Sequence, residues 1–121
     1  MKVRFVDNFV RFRLSREDVE QLVQDGSTSL DIGNGLRFSL MVDPSACSVN
    51  HNNGSLSVLF PAEWIKNWDR NETVGFDFEL KLNEIQFIRI VIEKDFPCVH
   101  DEDGNPIAPR PVKMQLPDTR A

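Results

Sequence analysis

The sequence has no Ser-His-Asp set, no glycine-rich phosphate loop and no accepted metal-ligand spacing. The signatures of common hydrolases, nucleotide binders and zinc modules are therefore missing. Basic residues are also in short supply: Lys and Arg number 14 against 19 Asp and Glu, a formal net charge of −5. That balance argues against general affinity for nucleic acid or acidic lipid, both of which attract a basic footprint. Only two cysteines occur, Cys47 and Cys98, far apart and unlike a secreted disulfide framework. The opening M-K-V-R-F-V-D-N lacks the apolar run of a signal peptide, and no later stretch approaches membrane-spanning length. A cytoplasmic location is the expectation, and no internal repeat is evident.

What remains is 121 residues, 40% apolar and 27% charged, the balance of one globular domain able to bury its own core. The chain opens as a hairpin, K-V-R-F-V and F-V-R-F-R-L around Asp7-Asn8. Those turn residues tolerate positive φ and set Val6 opposite Phe9, Phe5 opposite Val10, Arg4 opposite Arg11 and Val3 opposite Phe12. A short helix follows, with Ser15 as N-cap, Asp18 as the acidic partner of a capping box, and Gly26 as C-terminal cap. Period-two alternation returns through Thr28–Ile32, Leu36–Val42, Ala46–Val49 and Leu56–Phe60, with turns at Gly33-Asn34-Gly35 and His51-Asn52-Asn53-Gly54. Pro61 is expected to open a second short helix, P-A-E-W-I-K-N-W.

The last hairpin, Thr73–Leu82 with Gln86–Lys94, organises the chain. A three-residue loop, Asn83-Glu84-Ile85, sets Phe78 opposite Ile90, Phe76 opposite Ile92 and Glu79 opposite Arg89, where an ion pair is expected. Ile88, Ile90 and Ile92 then face the core. The expected fold is α+β, a mainly antiparallel sheet or open barrel of about six to eight strands with two short helices. Residues 1–96 make up the domain, and residues 97–121, with prolines at 97, 106, 109, 111 and 117, an irregular and largely disordered tail.

Three constellations carry chemistry. The stripe Lys2, Arg4, Arg11 and Arg13 is the least ordinary surface feature, because arginines facing across a hairpin want a counter-charge. A phosphate or carboxylate ligand would supply it, since guanidinium forks bind both. The chain's own Asp77, Glu79 and Glu93 are the internal alternative. The strand end Glu93-Lys94-Asp95 is expected to lie near this stripe and to complete a ligand-binding surface of Arg4, Arg11, Arg13, Glu93, Lys94 and Asp95. The second constellation is Cys47 and His51 with Cys98 and His100, two pairs that would hold zinc if their loops met. The third, Asp101-Glu102-Asp103-Gly104-Asn105, reads as an acidic turn rather than a calcium loop.

Asp77-Phe78-Glu79-Leu80-Lys81 resembles the acidic-x-acidic-x-lysine strand of the triphosphate tunnel metalloenzymes, which implies a divalent metal on carboxylates and phosphates on basic residues. Leu56–Leu80, with F-P-A-E-W-I-K-N-W at its centre, resembles the strand, short helix and strand of AbrB-type swapped-hairpin regulators. More of the chain is similar to an uncharacterised family of small bacterial proteins. K-V-R-F, F-V-R-F-R-L-S, F-P-A-E-W and I-E-K-D-F-P-C carry that likeness across Met1–Cys98. It brings no function and marks Arg11, Arg13, Glu93, Lys94, Asp95, Phe96 and Cys98. The first functional expectation is a small binding module for an anion or a protein partner. The alternatives are a metal-dependent enzyme acting on an anionic or phosphorylated substrate, and a zinc-stabilised structural module.

Overall fold

The structure is a computed structural model that describes residues 1–96 and 110–116. Among these residues lie nine strands in two mixed sheets, one α-helix and one 3-10 turn. Strand β1 (Lys2–Val6) and strand β2 (Phe9–Leu14) form the opening hairpin in the register expected from its turn. Asp7 takes the positive φ, 51°, that the tight turn requires. Helix α1 (Arg16–Asp25) carries both bonds of its capping box, and Gly26 ends it in the left-handed conformation at φ 78°. Its buried Val19 and Leu22 join the core, and the helix leads from the first sheet into the second.

The second sheet is built from β3 (Ser27–Gly33), β4 (Leu36–Asp43), β5 (Ser48–Asn52) and β6 (Ser55–Pro61). The first sheet is completed by β7 (Gly75–Lys81), β8 (Phe87–Lys94) and the two-residue β9 (Val112–Lys113). The strand orders are β1-β2-β8-β7-β9 and β3-β4-β6-β5. Apart from β9 the two plans are the same. Each sheet joins two antiparallel hairpins through a parallel contact, β2 with β8 in one and β4 with β6 in the other.

The α+β expectation holds, but the nine strands form two mixed sheets rather than one mainly antiparallel sheet or open barrel of six to eight. Alternation along a strand marks the face it buries but carries no direction for its neighbour, so the two parallel joints left no trace in the pattern. The second helix is also shorter than expected. Pro61 belongs to β6, and only Ala62–Ile65 winds, as a 3-10 turn. Lys66 at ψ 118° and Asn67 at φ 61° break the winding before Trp68. Within residues 110–116, Val112 pairs with Phe76 and Lys113 with Asp77.

The core lies between the sheets. Val10, Phe12, Leu14, Phe76, Phe78, Ile90 and Ile92 enter it from the first sheet, and Leu40, Val58 and Phe60 from the second. Aromatic rings lock the two layers together. Trp64 stands 6.2 Å from Phe60 of the second sheet and 5.1 Å from Phe78 of the first, centroid to centroid. Trp68, fully buried, packs 5.1 Å from Phe76 and donates its indole N–H to the Thr73 carbonyl at 2.7 Å. With one face of the first sheet spent on the core, the other is left to charged side chains.

Candidate functional site

The pairing of the first sheet places its outward residues from Lys2 to Glu79 in three rows across the strands, with Lys81 and Phe87 as a further pair beyond them. Lys2, Arg13, Glu93 and Gly75 are partners in one row. Arg4, Arg11, Val91, Asp77 and Lys113 are partners in the next. Val6, Phe9, Arg89 and Glu79 form the third. The arginines of β2 thus lie directly beside the charged end of β8, because the two strands run parallel in a register that couples Arg13 to Glu93.

Internal pairing follows from that neighbourhood. Arg13 reaches Asp95 at 2.7 Å and stands 3.6 Å from Glu93, while Lys2 meets Asp95 at 2.9 Å. Arg11 leans diagonally toward Glu93, its Nε 3.2 Å from Oε1. The approach lies off the line of a hydrogen bond, so this nitrogen is buried without a hydrogen-bond partner. The hydrogen bond from Lys2 holds the Asp95 carboxyl below the usual carboxylate range; partial burial opposes it and the Arg13 and Lys2 charges add to it. Arg4 faces Arg11 across the hairpin and has no ion-pair partner among the described residues. Lys2, Val3, Arg4, Arg11 and Arg13 line a cavity of about 180 Å³.

A second diagonal repeats the geometry one strand over. Arg89 donates to both carboxylate oxygens of Asp77, at 3.0 and 2.7 Å, although its register partner is Glu79. The ion pair expected with Glu79 is therefore made with Asp77 instead. The bidentate fork explains the choice, and Asp77 raises the Arg89 guanidinium above its ordinary range. Arg89 and Arg11 also lie over the Phe9 ring, at 5.1 and 5.9 Å from its centroid. Val91, between Arg11 and Asp77 in the register, is buried on this outer face.

Of the residues expected at the site, Arg4, Arg11, Arg13, Glu93 and Asp95 come together. Lys94 does not join them. It continues the inward alternation of Ile88, Ile90 and Ile92 and is 6% exposed. Its Nζ donates to the Asn71 carbonyl at 2.8 Å and lies over the rings of Trp68 and Phe96 at 5.6 and 5.9 Å. The alternation itself was the signal; the charge of the side chain concealed it.

Of the four residues expected to hold zinc, Cys98 and His100 lie outside the described residues, as does the acidic turn Asp101–Asn105. Cys47 is buried, and burial followed by the nearby Asp43 charge pushes its thiol up to about 11. His51 is exposed on β5. No group of three or more metal-ligating side chains forms among the described residues. Two features had no forecast. The amino group of Met1 pairs with Asp18 at 2.7 Å, and residues 113–116 roof a cavity of about 550 Å³ over Asp77, Glu79 and Arg89. No helix among the described residues is long and apolar enough to cross a membrane.

A family model described as a family of unknown function (DUF7009) matches residues 1–109. No curated protein and no solved structure matches the chain.

Proposed function

We propose, for a chain that belongs to the family of unknown function DUF7009, a binding role in which the Lys2/Arg4/Arg11/Arg13 corner of the outer face captures an oxyanion. The ligand class is a phosphate or carboxylate group, free or presented by a protein partner. The observation that carries the reading is Arg4, set opposite Arg11 in the β1–β2 register and without an ion-pair partner among the described residues. Among the described residues, Glu93 and Asp95 neutralise part of the cluster from the β8 side, and Lys2, Arg4, Arg11 and Arg13 outnumber them. An oxyanion seated between Arg4 and Arg11 relieves that repulsion.

Titration with inorganic phosphate, followed by amide chemical shifts, tests this. The expected result is saturable shifts centred on Arg4, Arg11 and Arg13, with a Kd of about 1 mM or tighter, or about −4.1 kcal/mol. Arg4→Gln removes the saturation. A linear drift spread over all exposed amides, or an unchanged response in Arg4→Gln, sinks the proposal.

A further inference from the structure

A different edge of the same sheet carries a second site. Strand β7 spans seven residues, Gly75–Lys81, and β9 pairs with only two of them, Phe76 and Asp77. Beyond that bridge, Met114 N–H donates to the Asp77 carbonyl at 2.9 Å, and Met114 and Leu116 pack half-buried against the core. From Phe78 to Lys81, no strand pairs with β7 on this side among the described residues. The segment therefore sits on the edge as an added strand, with Val112, Met114 and Leu116 at alternate positions and Lys113 in register with Asp77. It fills the edge incompletely. The cavity of about 550 Å³ stays open between residues 113–116 and the Asp77, Glu79 and Arg89 side chains.

The extent of the family match gives this arrangement its meaning. The match runs over residues 1–109, which include β7 and stop short of β9. An exposed strand edge is a template for pairing with another chain, and β-strand addition is a standard mode of peptide recognition.

We propose that the edge of β7 is an acceptor for an extended peptide from another protein, and that residues 110–116 are a tethered occupant resting in it. The chemistry of the partner follows from the occupant. It is a strand with apolar residues at three alternate positions and a basic residue between the first two, at the register position of Lys113 beside the cavity that Asp77 and Glu79 line. Backbone hydrogen bonds to β7 hold it, and the apolar positions fill the places of Val112, Met114 and Leu116. A tethered strand competes at an effective concentration on the order of millimolar, so the resting chain binds such a partner weakly until its own segment is displaced.

The test uses the full chain. Met114→Pro removes the N–H that bonds Asp77, and Leu116→Asp removes an apolar anchor; both leave the strands of residues 1–96 untouched. Near-UV circular dichroism of Trp64 and Trp68 checks that each variant is folded. A fluorescent peptide with the sequence of residues 109–117, PRPVKMQLP, is then titrated into each protein and followed by anisotropy. The expected result is binding at least tenfold tighter to the variants than to the parent chain, lost with a scrambled peptide and with shifts confined to β7. Failure of the peptide to bind either folded variant overturns the proposal, as does equal binding to parent and variants. A parent chain that dimerises with rising concentration while Met114→Pro stays monomeric also overturns it, assigning the edge to a second copy. Phosphate capture by Arg4 and Arg11 lies across the sheet and is scored separately.

Discussion

Asp18 serves two partners at the start of α1. Its carboxylate accepts the Ser15 N–H at 3.0 Å and pairs with the Met1 amino group at 2.7 Å. Burial raises its pKa, but the bonds from the amino group and from Ser15 outweigh it and leave the carboxyl below the usual range. A depressed carboxylate stabilises the fold above its unfolded-state pKa, about 3.9, and that contribution disappears as pH falls through the lower folded value. Asp18→Asn is therefore expected to cost about 1 kcal/mol at pH 7, with the gap to the parent chain closing below pH ~4. Urea midpoints measured from pH 2 to 7 check both size and direction. The cap was legible because Ser15 and Asp18 are neighbours in sequence. The Met1 contact was not, since it depends on where the hairpin returns the chain. Lys94 failed to be read for another reason: side-chain charge suggested solvent, whereas strand parity and a pair of aromatic rings decided for the core.

The β7–β8 hairpin is held by close backbone approach as well as by side chains. A methyl group on Gly75 would collide with the Ile92 carbonyl oxygen and the Glu93 backbone. Both neighbours are main chain of the paired strand, so neither can swing aside. Gly75→Ala is expected to destabilise the protein by about 1–3 kcal/mol or more, and chemical denaturation measures it. At this scale the sequence was most informative. Both hairpins flanking the β2–β8 joint appear in the registers that their turns and apolar faces imply. The choice of Asp77 over Glu79 by Arg89 escaped that reading, since a cross-strand diagonal competes with the direct neighbour whenever the longer reach gives a fork.

In the whole molecule two like-patterned sheets share one core, and Ile90 sits at its middle, partnered by Val10 on one side and Phe78 on the other. Ile90→Ala is expected to cost about 2–5 kcal/mol as a cavity. Because Trp64 and Phe60 couple the layers, far-UV and near-UV signals should melt together, and separated transitions would show that the sheets unfold independently. The parallel joint has a further consequence during synthesis. Asn8 and Phe87, bonded where β2 meets β8, are 79 residues apart. At a translation rate of about 5–20 residues per second, the opening hairpin waits roughly 4–16 s on the ribosome for its partner strand. For that interval Val10, Phe12 and Leu14 have no sheet to complete, and the nascent chain offers chaperones an oily ribbon long before it has a fold to protect.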